Sequence, residues 1–193
     1  MKRILMVLAP FVAAAALAPS TATAQSADIQ QALLAAPAGL KDDATVIRLN
    51  PDGSSATVRQ GHNGLMCWVP VDGGRWTSMC TAEGNRARVE QNHEFNAMGG
   101  SKDEIQARFA QAEKNGTRAL SKPGTFYYHG MGDSPSNVRV HMTIVVPNAT
   151  SQSLGGIPTE RQPAGLWLMQ GGTSSAHLML PDLPVSAPEG HHM

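Results

Sequence analysis

The chain carries no block of like charge: its 193 residues hold 15 lysines and arginines against 15 aspartates and glutamates. A nucleic-acid binder shows a basic face or stripe, and electrostatic attachment to a membrane surface needs a comparable one, so both classes are disfavoured. No apolar run reaches the ~20 residues a helix needs to cross a bilayer. Repeats of a solenoid period are also missing. Glycine-rich pieces such as "NAMGGSKDE" lack the lysine and spacing of a phosphate loop, and no Gly-x-Ser-x-Gly nucleophile elbow occurs. Cysteine is scarce, with only Cys67 and Cys80.

The strongest positive signal is at the N-terminus. Lys2 and Arg3 precede the uncharged stretch "ILMVLAPFVAAAALA", and Ala22 and Ala24 supply small residues for a signal peptidase. This pattern predicts a leader over residues 1–24, cut after Ala24, and a protein exported to the periplasm or secreted. Residues 25–193 then suit one domain with its own core. Losing Lys2 and Arg3 takes the basic count from 15 to 13 against 15 acidic residues, a net charge of −2. An even cysteine count in an oxidising compartment predicts a Cys67–Cys80 disulfide, its loop reversed at Asp72-Gly73-Gly74. Metal ligation by this pair is the rival, although the spacing is not that of zinc or redox sites.

Local pattern divides the domain into strands, helices and strands again. "SADIQQALLAAP" predicts a short helix capped by Ser26 and stopped at Pro37. Strands are expected at 44–49, 56–60 and 65–69, with turns at Asn50-Pro51-Asp52-Gly53 and Gly61-His62-Asn63-Gly64. A helix over 83–98 would rest on Val89, Phe95 and Met98. A second, over 101–114, has a Ser101/Glu104 capping box, an apolar side of Ile105, Phe109 and Ala112, and an Asn115-Gly116 stop. Further strands are expected at 125–131, 138–146, 166–170 and 176–180. The expected fold is a single α+β domain over 25–181 with a mostly antiparallel sheet, two or three helices and one disulfide, and a frayed tail over 182–193.

Candidate functional residues come from two runs that begin alike, "VHMTIVVP" and "AHLMLP". Period-two alternation puts Val140, Met142, Ile144 and Val146 on one face and His141 on the other. In the second run Ala176, Leu178 and Leu180 oppose His177 and Met179. In "FYYHGMG", Tyr127, His129 and Met131 share a face. Imidazoles with thioethers suit copper, above all Cu(I), so His129, Met131, His141, His177 and Met179 form a candidate copper set. If the strands of these two runs are neighbours, the imidazoles of His141 and His177 lie within mutual reach. The plainer alternative is a half-exposed strand face that tolerates histidine, with methionine filling gaps.

Nothing pairs a nucleophile with a base at a recognisable spacing, so the leading expectation is a non-catalytic domain that binds a small ligand or another envelope protein. The competing class is an exported hydrolase-like enzyme in which His141 or His177 acts as general base, with Asp133 or Ser175 as partner.

Several segments resemble a family of small, uncharacterised bacterial exported proteins that carry signal peptides. They are "DDATVIRL", "VRQGHNGLMC", Met79-Cys80, "VHMTIVVP", "GIPT" at 156–159 and "LWLMQGGTSSAHLMLP", and together they cover about 41–181. The resemblance implies a secreted or periplasmic domain with the Cys67/Cys80 pair and the two strand histidines, and it brings no activity. The chain departs from the family pattern around 83–97, where the family is richer in tryptophan, and in its tail after Pro181.

Overall fold

In the computed structural model, which describes residues 21–71, 73, 74, 76–162 and 165–180, the chain reverses where its turn residues stand. At Asn50–Gly53 the Gly53 N–H donates to the Asn50 carbonyl at 3.0 Å, with Gly53 at φ 88°. The Asp52 carboxylate closes the turn by accepting from the Ser54 N–H at 2.9 Å. Gly61 is needed for a different reason: a Cβ there would stand 2.2 Å from the Asp43 carbonyl oxygen. The leader up to residue 20, Asp72 of the expected reversal, and the tail lie outside the described residues.

These turns link strands β1 (Thr45–Leu49), β2 (Ser55–Arg59), β3 (Leu65–Trp68), β4 (Ser78–Ala82), β5 (Phe126–Met131), β6 (Arg139–Val145), β7 (Trp167–Met169) and β8 (His177–Met179). They form one sheet in the order β2-β1-β3-β4-β5-β6-β8-β7. Every pairing is antiparallel except β1 with β3. Among the described residues three α-helices accompany it: α1 (Thr21–Ala32), α2 (Arg86–Ala97) and α3 (Lys102–Lys114). This is the expected α+β domain with a mostly antiparallel sheet, and Cys67 and Cys80 are joined, S–S 2.12 Å.

Two local expectations are corrected. Ser26 is not an N-cap, because α1 begins at Thr21 and carries Ser26 inside it. The strand β4 has no counterpart in the sequence pattern: "SMCTA" is short, poor in β-branched residues and follows a glycine-rich loop. Tertiary pairing decides it, since Met66, Cys67 and Trp68 face Thr81, Cys80 and Met79 across the ladder.

The sheet is covered on both faces. On one, Ala32, Ala35 and Ala36 at the end of α1 and the turn after it pack on Val46, Leu65, Val140 and the disulfide. Small residues let that helix end approach closely. On the other face, Val89 of α2 packs against Ile47, Met66 and Trp68. The far end has its own cluster of Leu168, Ala176 and Leu178, with Ile144 against it.

α3 is fixed by its ends. Ser101 Oγ accepts from the Glu104 N–H at 3.3 Å, and Glu104 Oε2 accepts from the Ser101 N–H at 2.7 Å. Gly116, at φ 68°, takes the left-handed conformation that ends the helix. α2 is anchored by a fully buried Asn85, which donates to Thr81 Oγ1 at 2.8 Å and Thr125 Oγ1 at 2.9 Å and accepts from the Lys122 N–H at 2.7 Å. That residue ties the start of α2 to β4 and to the segment leading into β5.

The α2 face differs from the apolar side read from the sequence. Val89 is buried, but Met98 is 57% exposed, and the side chains that turn inward are Arg88 and His93. A helix with so few apolar residues packs through polar ones.

Joining residues 67 and 80 across β3 and β4 closes a short loop, which in the chain-entropy model stabilises by about 3 kcal/mol. The Cys67→Ala/Cys80→Ala variant is expected to lose about that much in urea unfolding. A loss below about 1 kcal/mol would contradict the entropic role.

Candidate functional site

Between α2, α3 and the sheet lies a cleft of about 280 Å³. Its floor comes from Met79, Tyr127, His129, Thr143 and Val145, its helical wall from Arg88, Asn92 and Phe109, and its far wall from residues 174–177. Arg118, just past the end of α3, completes it.

Two guanidinium groups dominate this cleft. Arg88 is 5% exposed and Arg118 is 8% exposed. Arg88 donates from Nη1 to the Ala119 carbonyl at 2.8 Å and to Ser174 Oγ at 3.4 Å, and from Nη2 to Ser175 Oγ at 2.5 Å. Arg118 donates to Gln91 Oε1 and Asn92 Oδ1 on α2. Its guanidinium carbon lies 4.5 Å from the centre of the Phe109 ring, a cation–π contact. Most of these partners are neutral. Among the described residues one carboxylate, Glu113, pairs with both arginines, its Oε1 standing 3.9 Å from Arg88 Nη1 and 3.9 Å from Arg118 Nε. Ser174 donates to the same oxygen.

The charge balance therefore leaves a surplus of one positive charge. Burial lowers both arginine pKa values; that of Arg118 falls to about 10, with the nearby Arg88 adding to the effect. Both stay charged at neutral pH. Arg118 Nε is buried and has no hydrogen-bond partner among the described residues. A buried charged donor without a hydrogen bond is costly, and the Glu113 carboxylate 3.9 Å away offsets that cost only through its charge. Gln170, on the cleft wall, adds a second irregularity, a non-glycine residue at φ 52°. Strained backbone of this kind gathers at ligand sites.

The candidate residues read from the sequence partly meet here. His129 and His141 are direct cross-strand partners, their rings stacked with centroids 4.6 Å apart and planes parallel. His177 instead faces Val145, and Met179 faces Thr143. β6 and β8 are indeed neighbours, but His141 and His177 are out of register by four residues, roughly 13 Å along a strand. His129 and His177 line the cleft, whereas Met131 lies at the end of β5, 54% exposed, on a separate surface with Asp133. Met79, not among the candidates, is the direct partner of His129 on β4.

Stacked rings keep their in-plane lone pairs in two separate parallel planes, so His129 and His141 do not converge on one point as they stand. No group of three His, Cys, Asp or Glu side chains among the described residues is placed to hold an ion. For the hydrolytic alternative, Asp133 sits in the β5–β6 turn, where its N–H donates to Asn137 Oδ1 at 3.0 Å. Ser175 Oγ accepts from Arg88. His177 Nδ1 lies 2.8 Å from the Ser175 carbonyl oxygen, which can only accept, so Nδ1 carries the proton and a neutral ring offers Nε2 as acceptor.

His129 is held down to a pKa of about 3, first by burial and then by the proximity of His141 and His177. It is a neutral hydrogen-bonding group in the cleft, 3.5 Å from Thr143 Oγ1. Tyr127, half-buried beside it, has its pKa raised chiefly by burial and hydrogen-bonds Ser121 at 3.1 Å.

No protein-family description, curated protein or solved structure matches this chain.

The two arginines are absent from the residues that sequence pattern singles out. A buried arginine has no spacing signature, and Arg88 sits in a helix whose sparse apolar side reads as Val89, Phe95 and Met98. The available signal is the shortage of apolar residues in α2, which leaves its inward positions to polar side chains.

The His129 shift has a consequence for stability. Between its ordinary pKa of 6.5 and the folded value of about 3, the unfolded chain takes up a proton that the folded chain refuses. This contribution is complete above pH 6.5 and is lost progressively as pH falls toward 3. Urea midpoints measured from neutral pH to pH 4 should fall more steeply for the native protein than for His129→Gln. Parallel slopes would contradict the burial of a neutral imidazole.

Proposed function

We propose that this chain is an exported binding domain whose cleft between α2, α3 and the sheet takes a small anionic ligand at Arg118 and Arg88. The observation that carries this reading is the charge arrangement. Two guanidiniums, each under 10% exposed, share one carboxylate, and Arg118 Nε has no hydrogen-bond acceptor among the described residues. Anions are recognised by such groups through charge-assisted hydrogen bonds. Tyr127, the neutral His129 and the serine hydroxyls at 174 and 175 supply uncharged donors and acceptors around the same space. Export rests on the N-terminal Lys2-Arg3 start and apolar stretch, and a disulfide fits an oxidising compartment.

A copper reading draws on one observation, the His129–His141 contact with Met79 opposite His129. It requires one ring to rotate before both can ligate the same ion. Copper retained at one per chain by the mature protein purified from the periplasm, and lost in His129→Ala and His141→Ala, would favour it over the anion.

The anion reading is tested by titration calorimetry of the mature protein with acetate, succinate, sulfate and phosphate at low ionic strength. At least one should bind at a single site, and Arg118→Met should weaken it by tenfold or more, since a hydrogen bond to a charged group is worth about 1.5–3 kcal/mol. Binding of none of the four, or equal binding by Arg118→Met, would overturn it.

A further inference from the structure

The arginine cleft has a neighbour. A second cavity of about 300 Å³ adjoins it and shares three lining residues, Met79, Asn92 and Tyr127. Its own walls are apolar at Leu49, Trp68, Pro70, Val71 and Val89. The two spaces border the same three side chains, the first holding the arginines and the second the Trp68 ring with His93 and Asn96 on its polar side. Val71, 48% exposed, stands at the outer rim of the apolar part.

We infer that the ligand is an amphipathic monocarboxylate, its carboxylate on Arg118 and Arg88 and its hydrocarbon tail passing Met79 and Tyr127 into the cavity beside Trp68. This rests on the proposed anion site and specifies the ligand class. Three features favour a carboxylate with a tail. The surplus of one positive charge, two arginines against Glu113, balances a monoanion and not a dianionic phosphate. A planar carboxylate suits the two-donor edge of a guanidinium. Met79, a flexible thioether, stands where a tail must bend past the sheet, and such a side chain adapts to variable hydrocarbon shapes. Trp68, at 4% exposure, places an intrinsic fluorophore on the tail cavity.

The test compares acetate, octanoate and uncharged octanol by titration calorimetry, with tryptophan emission followed in parallel. Octanoate should bind at least tenfold tighter than acetate and change the emission, octanol should bind more weakly than octanoate, and Arg118→Met should weaken octanoate tenfold or more. Val71→Glu, an exposed and therefore tolerable change at the rim, should weaken octanoate and leave acetate unaltered. Acetate and octanoate binding equally, both lost in Arg118→Met, would sink the tail and leave the anion site standing. Octanol binding as tightly as octanoate, with Arg118→Met unaffected, would sink the anion reading itself. Binding of none of the three would overturn the proposal, and inorganic anions still bound in the first titration would then show that the anion site survives it.

Discussion

The arrangement under α2 and α3 is governed by the cost of burying two guanidinium groups. Charges removed from water must be paired or hydrogen-bonded, and a domain of this size has little stability to spare. Much of the local structure is explained as an answer to that demand. Gln91 and Asn92 turn toward Arg118, the carbonyl of Ala119 and the hydroxyls of Ser174 and Ser175 turn toward Arg88, and Glu113 stands by both. The segment after α3 is held in place by the same contacts, since Gln91 also accepts from the Ala119 N–H at 2.9 Å. A purely structural pair of arginines would be expected to find a second carboxylate. Here the partners are mostly neutral and Arg118 Nε lacks a hydrogen bond among the described residues, an imbalance that the proposed anion would relieve.

The other face of the sheet does the opposite work. Alanines 32, 35 and 36 and the Cys67–Cys80 bridge make it a closed, apolar layer. Asn85, fully buried at the start of α2, joins that rigid middle of the sheet to the helices. The disulfide side is closed and apolar, and polar and half-buried groups gather on the α2 and α3 side.

How far the sequence discloses this can be judged residue by residue. The capping box at Ser101 and the Asn50–Gly53 turn follow local rules that act within a few residues, and the structure obeys them; the disulfide follows instead from cysteine count and expected compartment. β4 is hidden because its strand character comes from pairing with β3 and β5 and not from its own composition. The relation among the strand histidines is not legible either: pairing register sets His129 against His141 and shifts His177 away. Register is a long-range property fixed by turns and core packing. The arginines are the least legible of all, because Arg88 and Arg118 lie 30 positions apart in sequence, on α2 and after α3, and only folding brings their charges together.

Under the proposed anion reading, Arg118 Nε is the donor that the ligand reaches. Side-chain NMR of the arginine Nε–H groups, assigned by Arg118→Lys and Arg88→Lys, observes that atom directly during addition of acetate or octanoate. A saturable shift of the Arg118 Nε–H signal is expected, with Arg88 following and the exposed Arg48 and Arg139 unmoved. Uniform small shifts across all arginines, growing without saturation, would contradict it.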